Sequence, residues 1–143
     1  MKAKNNFKIG LRLGAMLMIS GIIFFSSFSV RQDGDKWVAP ESAKKVKNPV
    51  VSDAASIAEG KVLYAQFCKS CHGVKGLGDG TKAATLDKKC GDFSSKAYQA
   101  QTDGELYWKT TEGKDPMPTF EKKIPDATDR WKIIIYTRTL AAK

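Results

Sequence analysis

The tightest constraint on this chain is a spacing. In "YAQFCKSCHGVKGLGDG" the cysteines Cys68 and Cys71 stand with two residues between them, and His72 follows at once. A thioredoxin-like redox centre also uses C-x-x-C, but after a strand in a βαβ context, and no such pattern precedes Cys68. Structural zinc needs four ligands, commonly two cysteine pairs. The whole chain offers 3 cysteines and 1 histidine, with Cys90 far from the others, so a Cys₃His set is conceivable but oddly spaced. A plain disulfide between Cys68 and Cys71 would suit an exported protein. None of these needs a histidine directly after the second cysteine. Covalent haem attachment uses all three residues: the two thiols add to the two vinyl groups of the porphyrin, and the adjacent imidazole is carried to the iron as an axial ligand. Cys68, Cys71 and His72 are accordingly read as the attachment and ligand set of one haem c.

A second axial ligand follows by elimination. His72 is the only histidine, so the same chain has no second imidazole. Met1, Met16 and Met18 fall in an apolar N-terminal segment, which leaves Met117 in "GKDPMPTF". Pro116 and Pro118 fix φ and remove backbone donors on both sides, so the stretch is a stiff loop able to hold a thioether against an iron. The alternative is a packing methionine, common in cores because the side chain adapts to irregular gaps.

Residues 1–30 differ from the rest. Lys2, Lys4, Lys8 and Arg12 precede an uncharged run, "LGAMLMISGIIFFSSFSV", over residues 13–30. A basic region followed by an apolar one is the pattern of an export signal, and Ser27 and Ser29 are small residues at which it could be cut before Val30. The run is also near the lower length limit for a membrane-spanning helix, so it serves either as a cleaved signal or as an N-terminal anchor. Both place the remainder outside the cytoplasmic membrane, periplasmic and soluble or tethered to its outer face. The formal charge of +9 belongs in part to this segment. The rest is only modestly basic, with lysines and acids interspersed and no aromatic ladder among them, which argues against nucleic-acid binding.

Residues 31–51 are polar, interrupted by Pro40 and Pro49, and read as a linker or arm that Trp37 could pin onto the domain. Residues 52–143 carry helical signals. Ser52 or Asp53 can cap a first helix whose Ile57, Leu63, Tyr64 and Phe67 form an apolar stripe running into Cys68. Thr102 and Glu105 make a capping-box pattern for a second helix that Gly113 would end. Asp126 can cap a third, running to about Leu140 through Trp131, Ile134, Ile135 and Arg138. Nothing alternates convincingly, and the expected class is all-α. A domain this small has a small core, so a cofactor that staples it is expected to be needed for folding.

With these residues in place, the domain resembles a class I, monohaem c-type cytochrome. Gly60, Tyr64 and Cys68 fall at successive four-residue steps, as in that family's first helix, and Ile133 and Tyr136 sit where its last helix carries an aromatic. "CHGVKGLGDG", "PMPTF" and "RWKIIIYTRTL" extend the likeness over residues 52–142. The resemblance implies short helices wrapped around the haem, with the first and last crossing at the glycine. Two departures stand out. Family members often have a proline soon after the haem motif, beside a carbonyl that bonds the proximal histidine. Residues 81–86 contain none, leaving the partner of His72 unassigned. Cys90 is a thiol the family does not require, read as a small buried residue or alternatively as a reactive or intermolecular one. Tyr107, Trp108 and Phe120 are candidates either for contact with the porphyrin or for ordinary packing.

Nitrogen and sulfur at both axial positions would leave no site for substrate, so the expected function is one-electron transfer between respiratory partners rather than catalysis. A second reading makes the chain a fixed cytochrome subunit of a multi-subunit complex, such as a quinol-oxidising one like alternative complex III. A third, a catalytic haem, would require Met117 not to ligate. Lys69 and Lys75 beside the haem motif, with Lys114, Lys122 and Lys123 beside Met117, are candidates for docking a redox partner through an acidic face.

Overall fold

The computed structural model describes residues 37–142, and the expected export segment and residues 31–36 of the arm lie outside the described residues. The elements are α1 (Glu41–Lys44), α2 (Ala54–Phe67), α3 (Lys69–His72), a 3₁₀ turn (Ala83–Thr85), α4 (Lys96–Gln99), α5 (Asp103–Glu112) and α6 (Ala127–Arg138). Among the described residues there is no strand, only an isolated antiparallel bridge between Lys114 and Met117. The all-α expectation holds.

The three long helices start where side chains supply their first N–H groups with acceptors. Asp53 accepts from the Ser56 amide at 2.7 Å and Asp126 from the Thr128 amide at 2.7 Å. Thr102 accepts from Glu105 N–H at 3.2 Å while the Glu105 carboxylate takes Thr102 N–H at 2.8 Å, completing the capping box. Gly113, at φ 69°, ends α5 as expected.

The fold is organised by the crossing of α2 and α6. A Cβ at Gly60 would sit 2.1 Å from the Lys132 carbonyl oxygen, so only glycine permits the two backbones to come this close. Around that point Tyr64, Cys68, Phe120, Ile124, Ile133 and Tyr136 form a buried cluster, with the Tyr64 and Tyr136 rings 5.1 Å apart. Each buried aliphatic or aromatic side chain here contributes about 1.5–3 kcal/mol. A second cluster, Leu106, Trp131 and Ile134, joins α5 to α6.

Arg138 fastens the end of α6 to the turn between α4 and α5. Its guanidinium donates to Asp103 at 2.7 and 2.9 Å, to the Gln99 carbonyl at 3.0 Å and to the Gln101 carbonyl at 2.6 Å. The described part of the arm packs against α5. Ala39 and Ala43 are buried, and a Cβ at Gly104 would lie 2.0 Å from the Ala43 carbonyl oxygen. Trp37 is half-buried, its ring 6.4 Å from that of Trp108.

Candidate haem site

The cysteine motif is a helical turn set on the end of α2. Cys68 is the cap of α2 and the start of α3, and its carbonyl accepts from Cys71 N–H at 3.1 Å and His72 N–H at 2.9 Å. Gly73, at φ 81°, stops the turn, and its carbonyl takes the buried Tyr64 hydroxyl at 2.6 Å. The helix that packs the core therefore also fixes the motif. Cys68, Cys71 and Cys90 are free thiols, and among the described residues no group of three or more His, Cys, Asp or Glu side chains gathers to hold a metal ion. Neither the disulfide nor the zinc reading finds a counterpart.

Cys68, Cys71 and His72 open onto a cavity of about 940 Å³, and Met117 lines the same cavity. That volume suits a small organic cofactor, for which sites of roughly 300–1,000 Å³ are usual. The walls are largely apolar, with Phe67, Leu86, Phe120 and Ile133 among them. The residues present fit a haem: two unpaired thiols for the vinyl groups, an imidazole beside them, and a thioether sharing the space. Burial pushes the Cys68 thiol up to about 12 and lowers the His72 imidazole from its ordinary value, the bond to Gly91 opposing the latter. A neutral imidazole is the form that binds a metal.

The structure supplies the histidine partner that the sequence left unassigned. His72 Nδ1 lies 3.2 Å from the Gly91 carbonyl oxygen, and a proton held there leaves Nε2 as the nitrogen able to ligate a metal. Phe93 stacks on the imidazole with centroids 4.2 Å apart, and Tyr98 stacks on Phe93 at 4.4 Å. Tyr98 in turn donates to the Thr137 hydroxyl on α6 at 2.9 Å. No sequence signal identifies a backbone carbonyl, since any residue at position 91 would offer one. Met117 is half-buried and tied to Lys114 by two backbone hydrogen bonds of 2.8 and 2.9 Å.

Of the three candidate aromatics, only Phe120 reaches the cavity wall. Tyr107 instead stacks on Trp131 at 3.9 Å and accepts from Arg130 at 2.9 Å, while Trp108 faces Trp37. Trp37, read only as a possible pin for the arm, lines the cavity. Cys90 is half-buried at the cavity wall rather than buried, because it lies in the loop that brings Gly91 to His72. Lys69, Lys75, Lys122 and Lys123 are exposed, and Lys114 is half-buried.

The model of the family described as cytochrome c oxidase, cbb3-type, subunit III, matches residues 55–136. The chain belongs to this family. It is a monohaem c-type cytochrome, and its cofactor is a covalently bound haem c with iron. Among solved structures, the cytochrome is similar to a chain of the Kuenenia stuttgartiensis reducing HAO-like protein complex Kustc0457/Kustc0458. That match has 28% identity and a TM-score of 0.60, and covers 68% of this chain and 50% of the other. The cytochrome thus corresponds to only half the length of that relative. It is also similar to the KustC0563 c-type cytochrome, with 26% identity and a TM-score of 0.51, over 58% of this chain and 98% of the other. No curated protein is significantly similar to it in sequence. Among the described residues no helix is long and apolar enough to cross a membrane.

Proposed function

We propose that this cytochrome is an exported one-electron carrier of a respiratory chain, with haem joined through Cys68 and Cys71 and held axially by His72 and Met117. The observation that carries the reading is that His72 and Met117 line one cavity together with both thiols. When bound, the haem supplies a one-electron couple between ferrous and ferric iron. The chain's own residues do the rest. Gly91 and Phe93 fix the imidazole ring, and the paired Lys114–Met117 backbone bonds hold the thioether-bearing loop. With His72 and Met117 both holding it, the iron would offer substrate no place, and the thioether would raise its potential.

Residues 1–30 direct export, with residues 13–30 serving as signal or tether on the outer face of the membrane. Lys69, Lys75, Lys114, Lys122 and Lys123 form the docking rim for a redox protein with an acidic face, speeding encounter without prolonging the complex. The family description, that of an oxidase subunit, and a structural relative drawn from a complex favour a second reading as a fixed subunit. Co-purification with other subunits under mild detergent separates that reading from a free carrier.

The test of the ligand set is Met117→Ala. The ferric wild type is expected to show the sulfur-to-iron charge-transfer band of His/Met haems. The variant is expected to lose that band and to bind carbon monoxide when reduced. An unchanged spectrum would mean that another group holds the sixth position.

A further inference from the structure

The cavity is also lined by polar side chains that neither attachment nor axial ligation uses, Lys82, Lys89 and Lys123 among them. Lys109, on α5, lines it with its side chain partly buried, and its ammonium bonds the side-chain carbonyl of Gln101, another lining residue. Trp37 stands over the same ammonium, with Nζ 5.9 Å from the ring centroid. No carboxylate bonds Lys109 among the described residues. Glu105, one turn earlier on α5, has its carboxylate engaged by the Thr102 amide and acts on Lys109 only through space. Burial therefore holds the ammonium below the usual lysine range, with Lys44 adding to the effect and Glu105 opposing it.

A partly buried cation whose bonding partner is a neutral amide is poorly compensated unless an anion joins it. The group that would enter this cavity carries two carboxylates. In a porphyrin with two vinyl groups and two propionates, the propionates occupy the half of the ring opposite the vinyls. Anchoring of the vinyls at Cys68 and Cys71 therefore turns the acidic edge away from the motif, toward other walls of the cavity.

We propose that Lys109 and Gln101, covered by Trp37, form the site that binds the haem propionates, so that the N-terminal arm contributes to the cofactor site. The inference rests on the haem reading above and extends it to residues that reading does not assign. The donors are the ammonium of Lys109 and the amide N–H₂ of Gln101, which makes only long bonds of 3.5 Å to the Ala97 and Tyr98 carbonyls, and the Trp37 ring limits water access to the ion pair. Trp37 lies outside residues 55–136, the span matched by the family model. The site also gives the packing of Ala43 against Gly104 a role: the contact sets the arm on α5, the helix that carries Lys109.

The full-length, haem-loaded protein is compared with Lys109→Met, Lys109→Arg and Gln101→Leu. Haem staining after denaturing electrophoresis and the sulfur-to-iron band report the underlying reading, and their absence from the wild type would overturn that reading rather than this one. Resonance Raman spectroscopy then reads the propionate bending vibration, which follows hydrogen bonding to the carboxylates. Lys109→Met and Gln101→Leu are each expected to shift it part of the way toward the frequency of unbonded propionates, and Lys109→Arg to leave it near the wild-type position. A wild-type frequency in any loaded Lys109→Met or Gln101→Leu sample overturns the proposal, as does an equal shift in Lys109→Arg. Two separate donors are tested, so failure of one variant to load haem leaves the other to decide.

Discussion

The crossing of α2 and α6 and the chain from Gly73 to Gln101 enclose the same cavity by opposite means. At the crossing, side chains at helical spacing interlock around Gly60, and the packing is dry: Ile133 and Ile134 are 2% and 1% exposed. From Gly73 to Gln101 the only regular pieces are one 3₁₀ turn and the four residues of α4. This stretch is held by single backbone bonds such as Phe93 N–H to the Gly76 carbonyl at 2.6 Å, and by a stack that ends on His72. The difference separates two tasks. The helix pair supplies stability, while the loop aims one imidazole.

The largest expected effect would come from breaking the first region. Gly60→Ala places a methyl against backbone atoms of Lys132 that cannot swing aside, so α2 and α6 must separate. A loss of about 3 kcal/mol or more is expected, read as a fall in the thermal midpoint of the haem-loaded protein. A loss below about 1 kcal/mol would show that the crossing is not what holds the domain. Tyr64→Phe acts where the two regions meet, since it removes the hydroxyl that satisfies the Gly73 carbonyl. Roughly 1–3 kcal/mol should be lost in denaturant unfolding. The smallest change in stability, under about 1.5 kcal/mol, is expected from Phe93→Leu, which keeps a smaller apolar side chain at a half-buried position and loses the ring stacks. Its effect should fall instead on the orientation of the His72 ring, seen as altered hyperfine shifts of the haem methyl groups in the ferric NMR spectrum. Unaltered shifts, or a stability loss as large as that of Gly60→Ala, would erase the distinction between the regions.

The same division explains what was legible in the sequence. The capping residues Asp53, Thr102, Glu105 and Asp126 announce helix starts because capping is a local affair of side chain and nearby amide. Gly60, Tyr64 and Tyr136 show by their spacing, set beside the family pattern, because helices repeat. The motif itself could be read outright, since its chemistry dictates its order. The Gly91 carbonyl could not, because every residue has one and only the path of the loop selects it. Tyr107 and Trp108, open in the sequence between haem contact and packing, take the packing role, because neighbours on a helix point in different directions and Trp131 and Trp37 claim them. α1 and α4, of four residues each, are too short for periodicity to reveal.

Cys68 caps the second helix and shares a buried cluster with Ile133 and Tyr136 of the last. During synthesis from the N-terminus, the thiols therefore exist as part of an open chain before α6 is made. Once α6 has crossed at Gly60, the Cys68 residue is only 8% exposed, its thiol is approached through the cavity, and burial disfavours its ionisation. Thioether formation is accordingly expected to run faster on the unclosed polypeptide, with the C-terminal helix closing after attachment rather than before it.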